Sequence, residues 1–207
     1  MFNLAGWQSG YAAACKAVNA GSIPASASIK IMNNIKALFL DRDGVINHNF
    51  GYVHKIDDFK FIDGIFNLVQ AAIKKEYLII IVTNQAGIGR GLYTEADFLI
   101  LMKWVQDKFK ENNSHIDDIY FSPFHPVHGI GNYKKDSYLR KPNPGMLIDA
   151  QKKHKINLSK SIIIGDKMSD IEAGKSAGLR VNILFAENKP STHAVFIKHL
   201  DEAIDYL

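Results

Sequence analysis

Cysteine is almost missing from this chain. Cys15 is the only one in 207 residues, which excludes an internal disulfide framework and any multi-thiolate zinc knuckle. Long apolar runs are missing too. Nothing approaches the roughly 18 consecutive apolar residues of a bilayer-spanning helix, so no membrane partner is expected. Neither sign of charge dominates: the formal net charge is +4, with lysines and acids interleaved. Without a dense basic block or a basic, aromatic stripe, no nucleic-acid partner is expected. What is present is an ordinary globular balance, 47% hydrophobic and 22% charged, too apolar for a disordered chain and enough to bury one sizeable core.

Residues 1–31 stand apart. They contain no Asp or Glu and only two basic residues, Lys16 and Lys30. They lack the basic and apolar regions of a secretory signal and the arginines of an organellar transit peptide. The expectation is a non-domain extension, a start-site artefact, with translation beginning at Met32. Gly21-Ser22-Ile23-Pro24-Ala25 has the character of translated tRNA-gene sequence. Residues 32–207 are then expected to form one domain.

From Met32 onward strands and helices alternate. Apolar runs ending in polar turns, the pattern of buried parallel strands, occur at Ile35–Leu40, Tyr77–Val82, Ile162–Gly165 and Arg180–Phe185, with a shorter one at Ile119–Phe121. Amphipathic helical patterns fall at 63–75, 95–112, 144–155 and 168–178. Such alternation predicts an α/β fold, a Rossmann-like three-layer α/β/α sandwich around a central parallel sheet. In that architecture the site lies beyond the carboxyl ends of the strands.

The residues at those ends carry chemistry. Asp41 and Asp43 are spaced i, i+2, so on extended chain they face the same way; taken alone, the pair reads equally as a capping turn. Thr83, Asn84 and Gln85 supply a hydroxyl and two amides suited to an oxyanion, though any strand can end in a polar turn. Lys141 precedes a helix start, where backbone N–H groups also favour anions; a lone lysine there is more often a solvated charge. Asp166, Lys167 and Asp170 follow the Ile162–Gly165 strand. Acids converging from two strand ends repel one another without a cation, which implies a hard, oxygen-loving ion such as magnesium.

The order of these groups, acid pair, hydroxyl, lysine, acid, resembles the haloacid dehalogenase (HAD) superfamily of phosphohydrolases. Within it the chain is similar to the D-glycero-D-manno-heptose 1,7-bisphosphate phosphatases. The words that carry the likeness are Phe39-Leu40-Asp41-Arg42-Asp43-Gly44, Gly51-Tyr52-Val53-His54, Val82-Thr83-Asn84-Gln85-Ala86-Gly87-Ile88, Arg140-Lys141-Pro142 with Pro144-Gly145-Met146-Leu147, and Gly165-Asp166-Lys167. The resemblance implies Asp41 as nucleophile, Asp43 as general acid and base, and Thr83 and Lys141 as phosphoryl-holding groups. It implies Mg2+ held by Asp41, the Asp43 carbonyl and Asp166. It assigns the sugar and distal-phosphate side to Arg42, Asn49, Phe50, Gly51, Tyr52, Asn84, Gln85, Ala86, Arg140 and Lys167, with Arg140 on the second phosphate. The connecting segments are too short for a large lid, so a capless enzyme is expected, a cytoplasmic monomer acting on a small phosphorylated sugar in heptose-precursor supply for lipopolysaccharide or other surface glycans.

Many members of that family carry a structural zinc in the loop before the lysine, written Cys-Pro-His-His-Pro and later Cys-x-Cys-Arg-Lys-Pro. Here the four ligand positions are Ser122, Phe124, Ser137 and Leu139. No zinc is expected, since thiolates are missing, and Phe124, Tyr138 and Leu139 are expected to fill the loop with apolar packing. Two alternatives remain: a histidinol-phosphate phosphatase or other small-molecule phosphatase of the same fold, and a non-catalytic phosphate-binding or receiver-like domain. The Gly51–His54 flap weighs against the first. Asp43 weighs against the second, because a receiver needs no acid there.

Overall fold

The computed structural model describes residues 34–188 and 194–207, so the expectations for residues 1–31 and for a start at Met32 lie outside the described residues. Six strands, β1 (Lys36–Leu40), β2 (Tyr77–Asn84), β3 (Asp118–Ser122), β4 (Ile162–Gly165), β5 (Val181–Phe185) and β6 (Val195–Ile197), form one sheet in the order β3-β2-β1-β4-β5-β6. Every pairing is parallel. Five helices, α1 (Ile65–Lys74), α2 (Ala86–Gly89), α3 (Glu95–Glu111), α4 (Gly145–His154) and α5 (Met168–Ala177), connect them.

Side-chain alternation along the strands divides the core in two. Leu38, Leu40, Ile79, Ile81, Ile162 and Ile164 face α1 and α3, meeting Leu68, Val69, Phe98 and Phe109. Ala37, Phe39, Ile80, Val82 and Ile163 face α4 and α5, meeting Met146, Leu147, Ala150 and Ala173. Both faces of the sheet are therefore covered, which is why its strands read as near-continuous apolar runs. Each fully buried Leu, Ile or Phe contributes about 1.5–3 kcal/mol of transfer free energy. The result is the expected three-layer α/β/α sandwich.

Strand order decides where a ligand goes. The chain leaves β1 toward β2 on one side, and the later strands add on the other side at β4, so the switch point lies at the carboxyl end of β1. Between β1 and β2 the chain makes a flap pinned by bridges Asp43–Asn47 and Asn47–Phe61, followed by α1. Between β2 and Lys141 it makes α2, α3, β3 and a loop. Neither connection builds a separate capping layer among the described residues. No described helix is long and apolar enough to cross a membrane.

Four differences from the sequence reading concern short elements. β2 runs on through Thr83 and Asn84, which pair with Phe121 and Ser122, so these polar residues belong to the sheet rather than to a turn after it. The one-turn helix α2, the three-residue edge strand β6 and the 3-10 segment Leu200–Tyr206 have too few residues to carry a period of their own.

Candidate active site

Asp41 follows β1 directly, and its N–H donates to Ile164 O of β4 at 3.0 Å. That bond fixes its backbone at the switch point. The turn that follows brings the chain so close to Asp166 that a Cβ on Gly44 would overlap the Asp166 carboxylate, and Gly44 also holds φ at +98°. Only glycine meets both demands. The β1 turn and the β4 turn are thereby locked together.

A cavity of about 330 Å³ opens at this point. Of the residues singled out in the sequence, Asp41, Asp43, Asn49, Gly51, Tyr52, Thr83, Asn84, Gln85, Ala86, Lys141, Lys167 and Asp170 line it. Arg42, Phe50, Arg140 and Asp166 are not part of its wall. Arg42 is fully buried: its Nη2 lies 2.6 and 2.7 Å from the two Asp43 carboxylate oxygens and donates to Val53 O at 2.6 Å. Its guanidinium sits 5.7 Å from the Phe98 ring centroid. The Arg42 side chain therefore lies behind the cavity wall: Nη2 holds Asp43 and the flap, while the buried Nε and Nη1 have no hydrogen-bond partner. Phe50 is 62% exposed and stands over a neighbouring surface hollow. Arg140 is half-buried beside the site, and its Nη1 donates to Phe124 O at 3.1 Å.

Lys141 is the electrostatic hub. Its ammonium lies 2.9 Å from Asp41 Oδ1 and 2.5 Å from Asp170 Oδ1 and donates to Val82 O at 2.6 Å. Its backbone is clamped to Asn84, whose Nδ2 donates to Lys141 O at 3.0 Å and whose Oδ1 accepts from Lys141 N at 3.1 Å. Burial works against the charged ammonium, but the two carboxylates outweigh it and hold its pKa above the usual lysine range. Burial likewise works to raise Asp41. The Lys141 ammonium, with help from Lys167 and the Arg42 N–H, reverses this and leaves Asp41 below the ordinary carboxylate range.

Asp166 behaves in the opposite way. Burial, and then the negative charge of Asp41, push its carboxyl up to about 6, against the pull of Lys167, whose Nζ lies 3.3 Å away. Asp170, first through burial, is also raised. Oxygens of Asp41, Asp166 and Asp170 lie within 4.8 Å of one another. Two of the three carboxyls thus stand above their usual range, through burial first and the negative charge of Asp41 after it. An all-oxygen donor set short of one or more charges suits a hard divalent cation, and the residues fit Mg2+. The sequence reading named Asp170 without giving it a role. Its spacing of four from Asp166 and its place in the first turn of α5, where its Oδ2 accepts from Lys167 N at 3.1 Å, are the signals that place it on the site side of that helix.

Asp43 accepts from Asn47 Nδ2 at 3.1 Å and from Gln85 Nε2 at 3.0 Å besides Arg42. Tyr93, which the sequence reading passed over, lines the cavity wall. So does Tyr52, at the flap tip, with φ of +51°; it accepts from Arg90 through its hydroxyl and carries the Arg90 guanidinium over its ring.

The loop before Lys141 departs from one expectation. Leu139 packs on the second core cluster, and Phe124 lies between Tyr133 and Lys135. Tyr138, however, is 56% exposed, and its ring edge lies against Gly145 at the start of α4 rather than filling the loop. Backbone bonds do the remaining work: His125 N donates to Tyr133 O, Gly129 N to His125 O and Ile130 N to Gly89 O. The His125 Nδ1 accepts from Val127 N and His128 N, which requires the imidazole neutral at that atom. Burial, followed by the cationic Arg140, lowers the His125 pKa accordingly.

Residues 138–199 match a family model described as HAD-hydrolase-like. The chain is 52% identical over 156 residues to D-glycero-alpha-D-manno-heptose-1,7-bisphosphate 7-phosphatase of Burkholderia mallei, covering 75% of this chain and 82% of that one. It belongs to this family of HAD-like phosphatases. A second relative, D-glycero-beta-D-manno-heptose-1,7-bisphosphate 7-phosphatase of Haemophilus influenzae, is 45% identical over 157 residues, covering 76% and 85%. Among solved structures, a HAD-like phosphatase from Mesorhizobium loti superposes with a TM-score of 0.77 at 29% identity, covering 84% of this chain and 86% of that one. The D,D-heptose 1,7-bisphosphate phosphatase of B. bronchiseptica, solved with magnesium and phosphate, gives 0.72 at 22% identity over 83% and 97%; at that identity the likeness is one of fold. As a HAD-like phosphatase the chain is a phosphoric monoester hydrolase.

Proposed function

We propose that the chain removes the C7 phosphate of D-glycero-D-manno-heptose 1,7-bisphosphate in two steps through an aspartyl-phosphate on Asp41. The observation that carries this reading is the convergence of Asp41, Asp43, Thr83 and Lys141 on one cavity of sugar-phosphate size. In the first step an Asp41 oxygen attacks phosphorus as the bond to the sugar oxygen breaks, and Asp43 donates a proton to that departing oxygen. In the second, Asp43 takes a proton from water, the water oxygen attacks phosphorus, and the Asp41 carboxylate leaves with phosphate released. Thr83 and the Lys141 ammonium hold the phosphoryl oxygens as charge shifts onto them.

Asp41, the Asp43 carbonyl and Asp166 would hold Mg2+, which when bound would supply the positive charge that lets an anionic carboxylate meet an anionic phosphate. Asp170 fixes Lys141, and Lys167 partners Asp166. Asn49, Gly51, Tyr52, Asn84 and Ala86 face the sugar. Arg140, adjacent to Lys141 and anchored by Phe124 O, has guanidinium donors left for the distal phosphate, where a planar fork suits bidentate recognition. Residues 32–207 are the phosphatase unit in this reading. The enzyme acts as a cytoplasmic monomer that supplies heptose precursors for surface glycans.

The test is a turnover comparison with Mg2+ on the α- and β-anomers of the heptose 1,7-bisphosphate, fructose 1,6-bisphosphate and histidinol phosphate. The expected result is a kcat/KM at least tenfold higher on one heptose anomer than on the other three compounds. Preference for histidinol phosphate overturns the substrate assignment while leaving the phosphatase class standing.

A further inference from the structure

Two features of the cavity wall remain unused by the mechanism: the buried Gln85 amide and the Tyr93 hydroxyl. Gln85 is 1% exposed and Tyr93 7%. The Gln85 Nε2 donates to Asp43 Oδ2 at 3.0 Å and to Thr83 Oγ1 at 2.8 Å. Both amide hydrogens are therefore spent, one on the acid–base carboxylate and one on the phosphoryl-holding hydroxyl. The amide oxygen accepts from Tyr93 Oη at 2.6 Å. A carboxamide has two orientations, and the alternative would turn its oxygen toward the Asp43 carboxylate and the Thr83 oxygen. The Asp43 carboxylate, which can only accept, favours the productive one, and the Tyr93 phenol holds it by donating to Oε1.

The choice has a consequence at Thr83. A hydroxyl has one proton and accepts at its lone pairs. With Gln85 donating to it, its own proton is left for an acceptor in the cavity. In the other orientation Thr83 would donate to Gln85 instead, and Asp43 would lose one of the donors that hold it.

The Tyr93 ring is itself held in place. It stacks on His54 at 4.9 Å with the ring planes 4° apart. Its other neighbour is Gly87, where a Cβ would overlap the ring. Leu92 N donates to Gly87 O at 2.9 Å, and Thr94, the next residue, opens α3 through a capping box.

We infer that Tyr93 is a positioning residue of the phosphatase reaction, acting through Gln85 to set Asp43 and Thr83 at once. Gln85, assigned to the sugar by resemblance, is in this inference a positioning residue as well. Burial pushes the Tyr93 hydroxyl up to about 12, so it keeps the proton it must donate throughout the neutral range. The inference rests on the roles proposed above for Asp43 and Thr83.

The experiment is a double-variant cycle on the full chain with Mg2+ and the heptose bisphosphate. Tyr93→Phe keeps the ring and its stacking. It is expected to lower kcat about 5- to 20-fold with KM changed less than twofold. Gln85→Ala is expected to lose at least as much, and Tyr93→Phe in the Gln85→Ala background to change kcat less than twofold, because its target is gone. Losses that multiply in the double variant, a loss carried by KM, or a Tyr93→Phe enzyme as fast as the parent would overturn the inference. Should Tyr93→Phe melt below the assay temperature, the Gln85→Ala comparison with and without Tyr93→Leu at lower temperature asks the same question. Asp41→Asn serves as the separate control: activity surviving there removes the proposed mechanism itself, whatever the cycle returns.

Discussion

Burial works to raise all three carboxyls gathered near Lys141, and the neighbouring aspartates differ by how far nearby charge offsets it. Asp41, in contact with the ammonium, stays ionised well below the ordinary range, the state a carboxylate nucleophile requires. Asp166, which meets only the more exposed Lys167, is pushed up to about 6. Replacing Asp41 by Asn keeps the side chain's volume and an oxygen to accept the Arg42 N–H, found at 2.8 Å, while Lys141 keeps Asp170. The variant is expected to fold but to turn over about three orders of magnitude more slowly or worse, read by single-turnover phosphate release beside a thermal melt. Turnover near the parent rate would reject Asp41 as nucleophile. The residues involved in this chemistry were legible because each sits in a short word at the carboxyl end of a strand or just before a helix start. Tyr93 and the role of Asp170 were not: Tyr93 reaches Gln85 only once the turn after α2 folds back, and Asp170 meets Lys141 only once α5 packs beside β4.

At the scale of elements, the strands and long helices could be read because their periods extend over enough residues, and their ends agree with the structure to within about two positions. α2 and β6 could not, since four and three residues hold less than one informative period. Neither has autonomous stability; α2 exists because Gln85 and the close approach of Gly89 to Pro123 fix the chain there. One tie between elements is open to titration. Asp118 of β3 holds Lys153 and His154 at the end of α4, at 2.8 and 2.7 Å. Although burial works to raise it, these bonds bring its carboxyl down to about 2 from 3.8. Stability from this tie is complete above the unfolded value of 3.8 and is lost as the pH falls through about 2. After allowance for solvent screening it amounts to about 1 kcal/mol. Asp118→Asn should cost that much in urea unfolding at pH 7, and the gap should narrow steadily below pH 4. A gap independent of pH would mean that the bonds to Lys153 and His154 contribute nothing.

For the molecule as a whole, the site is a point of stress that the fold tolerates. Two turns, from β1 and β4, are pressed together at Gly44, and each delivers an acid to the same spot, so the native state concentrates negative charge that the unfolded chain disperses. A cation that binds the folded form and not the unfolded one relieves this and stabilises by mass action, about 2.7 kcal/mol at a hundredfold excess over its Kd. For a domain of this size that corresponds to a rise of about 5–10 °C in Tm. Thermal unfolding of the metal-stripped protein with added Mg2+ should therefore move upward with concentration, and EDTA should reverse it. Asp166→Asn removes one ligand together with its repulsion of Asp41. It should raise the melting temperature of the stripped protein while flattening its response to Mg2+, an opposition of sign that a surface charge change would not produce. If the parent melts at the same temperature with and without the ion, Asp41 and Asp166 do not form a metal site, and the electrostatic account of the pocket fails with it.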